Sequence, residues 1–420
     1  MTQGASNGHP NGLALPHVRS LPLSYDSEDS EQSATRLILT VRPDWAADDS
    51  HIEFVRFTDG ITNTLLKAIN KRKGWSKEDI DREAILLRAY GNGTAVLIDR
   101  EREAQNHELL MKYNLAPELL ARFNNGMLYR FIKGSVTAPE DLRKPVIYKA
   151  VASRLAQWHA TVPCITHSTT TNGHARENGT NGHQDPDAII ENAAPGKPVP
   201  NLWTVMQKWI LALPSDTQVQ RERQERLQKE FEFIVEEFSQ RPGLGVDGLV
   251  FAHCDLLSGN VIVLPSGPPT KGKKEATVTF IDYEYATPSP AAFDIANHFA
   301  EWGGFDCDYN VLPTRAQRRE FIDEYIRSYF KYTKGDAKVD VEAEVRKLNE
   351  EVDLFRGVPG FYWGIWALIQ AVISQIDFDY ASYAETRLAE YWAWKEESDG
   401  SRAAASKEKS LREQRWEQIE

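Results

Sequence analysis

LVFAHCDLLSGNVIVLP, residues 249–265, is followed after a Pro/Gly-rich turn and a basic loop by ATVTFID, residues 276–282. The first stretch reads as an apolar strand ending at His253. A loop then carries Asp255 two residues after the His and Asn260 five residues after that Asp. NVIVL (260–264) and ATVTFID (276–282) read as two paired strands, so Asn260 begins one strand and Asp282 ends the other. Residues placed in that way lie nearly opposite, roughly 5–7 Å apart at Cβ. An amide oxygen and a carboxylate converging on one point suit a hard divalent cation. Asp255, in the loop just before, can face the same point from the side of an incoming hydroxyl. Phosphoryl transfer needs that arrangement: a metal to bridge phosphate oxygens and a carboxylate to orient the attacking hydroxyl. The order His-x-Asp-x4-Asn followed by a strand-end Asp also matches kinase catalytic and metal loops. Taken singly, each residue is an ordinary loop-capping side chain; the ordered set across a hairpin is what points to chemistry. His253 reads either as a group that orients the loop or as a plain buried His, and neither reading gives it proton transfer.

Away from this segment the pattern changes. Residues 1–34 are polar and rich in Gly, Ser, Asn and Pro, which predicts a disordered leader. Order is expected from about Arg36, with RLILTV (36–41) as a strand that ends at Arg42-Pro43. IEFVRFT (52–58) and ITNTLLKAI (61–69) read as strands around the turn Asp59-Gly60. AILLRAYG (84–91) is apolar with one basic interruption, DREREAQNHELLMKYN (99–114) has helical spacing, and GMLYRFIKG (126–134) returns to strand. From Pro139 the chain turns helical. Residues 145–161 place Ile147, Val151, Leu155, Trp158 and His159 at helical spacing, a helix pair follows in 201–240, and 316–332 and 340–397 are helical. Residues 167–200 are low in complexity and nearly free of large apolar side chains, the composition of a surface insertion. The tail, 398–420, is charged and reads as a frayed helix. The expectation is an α+β chain: leader 1–34, a β-rich part 35–134, a mostly helical part 135–397 and a charged tail.

The 420 residues are 41% hydrophobic with 11 Trp, 15 Tyr and 17 Phe, enough for a large core. A net charge of -12 argues against binding nucleic acid or anionic membrane, which needs a basic face. Three cysteines, Cys164, Cys254 and Cys307, match no metal spacing and read as reduced thiols of a cytoplasmic protein. The first twenty residues lack the pattern of a signal peptide, and no run of about 18 apolar residues suggests a membrane span. Asn92-Gly93-Thr94 and Asn178-Gly179-Thr180 are formal glycosylation sequons that a cytoplasmic chain carries by chance.

HCDLLSGN (253–260) followed by IDYEYATPSPAAFDIANHFAEW (281–302) resembles the paired boxes of the choline/ethanolamine kinase family. FTDGITN (57–63) and YWGIWALIQAVISQIDFDYASYAETRL (362–388) are two further matches, so the resemblance spans roughly 35–395. FTDGITN, the DLL after the His and IDYEYA are closest to ethanolamine kinases, of a fungal-like type. Cys254 in place of the usual Asn, Ala296 in place of a Gly, and TPSP (287–290) depart from the family pattern without removing a catalytic group. The resemblance implies a bilobal protein-kinase-like fold, with an N-lobe over 35–134 and a C-lobe over 135–397. It implies ATP and Mg2+ as cofactors and ethanolamine as acceptor, with choline or dual specificity as the alternative, and it admits a homodimer. Asp255 is then the catalytic Asp, and Asn260 and Asp282 the magnesium ligands. Thr58, Asp59, Gly60, Ile61, Thr62 and Asn63 form the nucleotide-phosphate loop. Arg88 is the strand cation that touches the phosphates, Glu103 its helical partner, and YRFIKG (129–134) the hinge against adenine.

Ethanolamine presents a primary ammonium, which calls for carboxylates, whereas choline favours an aromatic box. The resemblance makes Asp294 and Glu301 the acidic lining; seven residues apart, they share a helix face. Trp363 and Trp366 form the aromatic wall, with Phe378 and Tyr383 further on and Glu284 and Tyr285 shaping the same wall. A Trp/Tyr stripe of this kind without the family boxes would be read as core packing. Competing readings are a catalytically dead kinase-like binding protein, which should have lost Asp255, Asn260 or Asp282, and an antibiotic kinase, which should lack FDIxNHFxEW. A protein kinase is disfavoured because Asp-Phe-Gly and Ala-Pro-Glu segments are missing where expected.

Overall fold

A computed structural model of the chain describes residues 18–57, 63–91, 93–164, 185–265, 276–334 and 338–420. They fall into two compact units. One holds the described residues up to Tyr90 together with Pro117–Phe131; the other holds Gly91–Ala116 and Ile132–Glu420.

The first unit is built on a six-stranded sheet of β1 (Arg19–Leu21), β2 (Ile52–Phe57), β3 (Asn63–Asn70), β4 (Ile85–Tyr90), β5 (Leu119–Phe123) and β6 (Gly126–Arg130), in the order β1-β5-β6-β4-β3-β2. Every pairing is antiparallel except that of β1 with β5. Alternation along the strands turns Leu66, Ala68, Leu87, Ala121 and Leu128 into a core. Helix α1 (Ser30–Val41) covers it with Ala34, Leu37 and Ile38, and α2 (Lys77–Glu83) starts at a capping box between Ser76 and Asp79.

The second unit is mostly helical. It comprises α3 (Arg100–Lys112), β7 (Ser135–Val136), α4 (Pro145–Thr161), α5 (Pro186–Glu191), α6 (Leu202–Leu211), α7 (Gln218–Phe238), β8 (Val250–Ala252), β9 (Val261–Val263), β10 (Val278–Phe280) and β11 (Thr287–Ser289). Seven helices follow among the described residues: α8 (Ala291–Ala300), α9 (Arg315–Thr333), α10 (Val341–Phe355), α11 (Val358–Ile373), α12 (Tyr380–Ser398), α13 (Ser401–Ala404) and α14 (Leu411–Glu417). Strands β9 and β10 pair antiparallel with Val261 opposite Phe280, and the backbone N–H of Ile281 donates to the Asn260 carbonyl at 3.0 Å. The hairpin expected from the sequence is therefore present. Asn260 and Ile281 are backbone partners, which leaves Asp282 one residue past the last pair.

Three expectations give way. RLILTV is not a strand but the last half of α1; its apolar residues continue the spacing of Ser33 and Ala34, and Pro43 ends the helix. The leader does not reach residue 34, because β1 and α1 are already ordered parts of the first unit; residues 1–17 lie outside the described ones. The tail is no frayed helix, because Arg412, Glu413 and Trp416 are buried. Of the insertion, 165–184 lie outside the described residues, whereas α5 is helical and begins at an Asp185 cap.

Candidate active site

The loop after β8 is held by one face of α8. Asp294, Asn297 and His298 stand at i, i+3 and i+4, on the same side of the helix, and all three are fully buried. The Asp294 carboxylate accepts the backbone N–H of His253 at 3.0 Å and that of Cys254 at 2.7 Å. The Asn297 amide donates to the Cys254 carbonyl at 2.9 Å, and the His298 ring donates to the Leu256 carbonyl at 2.7 Å. His159 of α4 also meets Asp294 at 2.9 Å. Three residues, His253, Cys254 and Leu256, are thereby fixed on the two sides of Asp255. Cys254 sits at φ 63°, in the left-handed region that Asn enters more readily than other non-glycine residues. The hydrogen bonds to Asp294 and Asn297 hold it there.

Asp294 was expected in the acidic lining of the substrate pocket. It faces the loop's backbone instead, because the α8 face that carries it packs on residues 253–256. Burial raises its pKa, but the His159 ring, then the His253 ring and the Cys254 N–H, hold it below the usual carboxylate range. His253, read as a possible loop-orienting group, has that role: its Nε2 donates to the Ile281 carbonyl at 3.0 Å, and its Nδ1 accepts the Asp255 N–H at 3.3 Å. One imidazole therefore ties the loop after β8 to the strand end that carries Asp282.

Asp255 is buried. Burial first, then the carboxylates of Asp282, Glu301 and Glu284, push its pKa well above the ordinary value. Asn260 donates its amide nitrogen to the Asp255 carbonyl at 2.8 Å and to the carboxylate at 3.2 Å. With the nitrogen committed there, the amide oxygen is the end left for a cation. Asp282, at φ 66° just past the strand end, could offer a second oxygen donor. Among the described residues no group of three His, Cys, Asp or Glu side chains is arranged to chelate an ion by itself. One amide oxygen and one carboxylate beside a cluster of acids fit magnesium, which is typically bound by one or two carboxylates with phosphates and waters completing its shell.

The aromatic residues form one connected group. Tyr285 lies edge-on to Trp363 at 5.7 Å and to Trp209 at 6.1 Å, and Trp363 lies edge-on to Trp366 at 5.4 Å. The Trp366 indole donates to the Tyr285 hydroxyl and the Trp363 indole to the Asn297 amide oxygen, each at 2.8 Å. Trp363 thus supports the same α8 face that grips the loop. Phe378, half-exposed, and buried Tyr383 pack together at 5.7 Å, with Phe305 at 5.9 Å from each. Glu284 meets Arg100 at 3.1 Å, and Arg100 also pairs with Glu103 at 2.8 Å. Glu301 is paired with Arg387 at 3.1 Å; burial nonetheless raises its pKa.

Sequence reasoning did not single out Trp209, Phe305 or Arg387. Trp209 comes from a helix distant in sequence from the boxes, Phe305 follows the second box by three residues, and Arg387, in ETRL, falls inside a quoted match. In the first unit, Arg88 is buried on β4 between Leu65 and Met127, and Asn63 opens β3 opposite Tyr90. Thr58, Asp59, Gly60, Ile61 and Thr62 lie outside the described residues.

A family model described as Choline/ethanolamine kinase matches residues 54–392. Ethanolamine kinase 1 of Mus musculus is 32% identical over 395 residues, covering 91% of this chain and 95% of that protein. Ethanolamine kinase of Drosophila melanogaster is 31% identical over 460 residues, covering 90% of this chain and 80% of that one. Among solved structures, a Plasmodium vivax ethanolamine kinase superposes with a TM-score of 0.63 at 25% identity, over 87% of this chain and 89% of the other. A choline kinase from Cryptosporidium parvum gives 0.58 at 20% identity, over 87% and 97%. The architecture is accordingly the protein-kinase-like one, with a β-rich unit and a mostly helical unit.

Proposed function

Because the chain belongs to the choline/ethanolamine kinase family, we propose that it transfers the γ-phosphoryl group of ATP to the hydroxyl of ethanolamine. The product is phosphoethanolamine, the first intermediate of the CDP-ethanolamine route to phosphatidylethanolamine. The observation that carries this reading is the Asp255 carboxylate, held by a fixed loop beside Asn260 and Asp282. Raised proton affinity suits a group that orients an alcohol and accepts its proton as the O–P bond forms. Asn260 and Asp282 hold Mg2+ in this reading, and the ion supplies charge screening for the phosphate oxygens. Arg88 contacts the phosphates, where a guanidinium can hold two oxygens at once. Glu103 orients Arg88, Thr58 to Asn63 close over the nucleotide, and residues 129–134 meet adenine.

The ammonium of ethanolamine is met by Glu301 and Glu284, and its methylenes by Tyr285, Trp363, Trp366, Phe378 and Tyr383. Choline is the second reading, favoured by the edge-on cluster of Tyr285, Trp363 and Trp366. The reading has the enzyme acting in the cytoplasm, and a homodimer is compatible with it. Among the described residues no helix is long and apolar enough to cross a membrane.

The test is an ATP-dependent kinase assay with ethanolamine and choline side by side at equal concentration, on the wild type and on Asp255→Ala. Ethanolamine should be the faster substrate, and the variant should lose at least about a hundredfold in kcat with its melting temperature preserved. Faster turnover of choline overturns the named acceptor, and an active Asp255→Ala overturns the mechanism.

A further inference from the structure

Glu301 is the first member of a buried series of alternating charges that ends on the C-terminal helix. Arg387 of α12 binds Glu301 at 3.1 Å and lies 3.6 Å from Glu390. Arg412 of α14 reaches the same Glu390 oxygen at 3.7 Å and Glu413 at 3.2 Å. Glu413 turns its other oxygen to Arg356, 2.8 Å away. Glu301, Arg387, Glu390, Arg412 and Glu413 are each no more than 5% exposed. Arg412 also donates to the Arg356 carbonyl at 2.7 Å. Helix α14 is seated by Trp416, whose indole donates to Asp353 at 2.8 Å while its ring lies 4.1 Å below the Arg318 guanidinium. Arg412, Glu413 and Trp416 lie beyond residue 392, where the family match ends.

Three acids and three arginines balance along this series. In a low-dielectric interior that balance is local, since removing one partner leaves a buried charge that water does not screen. Two of the arginines are shared, Arg387 between Glu301 and Glu390, and Arg412 between Glu390 and Glu413. If Arg412 is lost, Arg387 is the cation left beside Glu390 among the described residues, with the Tyr309 hydroxyl as a neutral partner, and Glu390 competes with Glu301 for Arg387.

We propose that Arg412 of the C-terminal helix is a positioning residue for the acceptor site, acting through Glu390 and Arg387 to hold the Glu301 carboxylate. This rests on the reading that Glu301 meets the ammonium of the amino alcohol. The C-terminal helix then sets acceptor affinity without touching the acceptor.

The test compares wild type, Arg412→Met and the double variant Glu390→Gln/Arg412→Met in steady-state kinetics with ethanolamine and ATP. Arg412→Met should raise KM for ethanolamine on the order of tenfold, a usual size for coupling between linked sites. KM for ATP should stay within about twofold of wild type, the level expected of an uncoupled site. The double variant should recover most of the ethanolamine KM, because Glu390 no longer draws on Arg387. A tail that merely packs would leave the double variant as impaired as the single one, or shift both KM values together, and either result overturns the proposal. If Arg412→Met does not accumulate as folded protein, Arg412→Lys keeps the charge, loses the two-sided bridge and takes its place. Melting curves of Glu301→Gln, Arg412→Met and their combination give a second readout that needs no substrate. Members of one ion-pair network are non-additive, whereas unlinked sites add. Additive shifts overturn the linkage even in an active enzyme. A wild type that fails to turn over ethanolamine overturns the acceptor reading alone, and the melting cycle still decides the linkage.

Discussion

A carbonyl oxygen can only accept and an indole N–H can only donate, and this fixes the protonation of His298. Its Nδ1 faces the Leu256 carbonyl at 2.7 Å, so it carries the proton; its Nε2 faces the Trp302 indole N–H at 3.3 Å, so it does not. His253 is fixed in the same way between the Ile281 carbonyl and the Asp255 N–H. Both rings must be neutral, and burial lowers each pKa from 6.5 to about 4. At these two rings the folded form therefore binds fewer protons than the unfolded form between those two values, and their contribution to stability is lost as pH drops through that window. Each ring accounts for about 3 kcal/mol of the loss once pH is below both values. Asp294, whose pKa is lowered, adds its loss only below the ordinary carboxylate range, outside the histidine window. Asp255 and Glu301, whose pKa values burial raises, act in the opposite sense as pH falls, so the histidine contribution is read as a difference: between pH 6.5 and 4, His298→Gln should lose less stability than the wild type, from a lower starting point. Parallel pH curves for the two proteins would refute the assignment. At this scale the placement of Asn260 at the start of one paired strand and of Asp282 just past the end of the other was legible, because loop spacing and a hairpin register fix it. Asp294 was not, because helical periodicity says which residues share a face and not what that face meets.

Helices α11 and α12 bring the Trp363/Trp366 wall and Arg387 to one place, and two glycines let them approach. A Cβ on Gly360 would stand 2.6 Å from the Arg387 carbonyl oxygen and 3.1 Å from the Tyr391 nitrogen. Both are backbone atoms of α12, so relief requires the helices to move apart. A Cβ on Gly364 would meet Leu388 Cδ2 and Cγ at 2.7 Å, and the Leu388 nitrogen stands back at 3.4 Å, so a change of the Leu388 rotamer gives more relief than is open at Gly360. Gly360→Ala should therefore cost about 1–3 kcal/mol, the range of overpacked cores, and Gly364→Ala less. Because Arg387 shifts with the backbone, Gly360→Ala should also raise KM for ethanolamine; thermal melts with kinetics on both variants check this, and the reverse order of damage would contradict it. Elements long enough to repeat their pattern were legible in the sequence: α4 spans the 145–161 expected of it. Short ones were not. Strand β5 has five residues and was not anticipated, nor was α2, although the Ser76–Asp79 capping pair was there to be read. RLILTV read as a strand because six apolar-rich residues do not display a helical period until the polar half of α1 is joined to them.

Two stretches of the chain look alike by composition. Residues 168–182 hold no large apolar side chain, and the tail is dense in charge, so both read as solvated. In the tail, however, Trp416 is 3% exposed under Arg318, and the Gln418 and Ile419 carbonyls accept the first N–H groups of α9. Charge density conceals this, because Arg412 and Glu413 are buried with their partners rather than solvated, and a sequence does not say which charges are paired. Removing 168–182, a stretch with the composition of an insertion, should leave the melting temperature within about 1 °C of wild type, since shortening a long connection changes its closure entropy little. Removing 400–420 uncovers Arg318, Arg356 and Glu390, and takes away a buried Trp, a residue type whose truncation costs about 3–5 kcal/mol. The expected drop is on the order of 5 °C. The two truncations, melted side by side and assayed with ethanolamine, separate dispensable chain from docked chain. The first should keep wild-type kinetics. The second should lose acceptor affinity at temperatures where it is still folded, and a tail-less protein with both melting point and ethanolamine KM unchanged would show that the charge series ends short of Glu301.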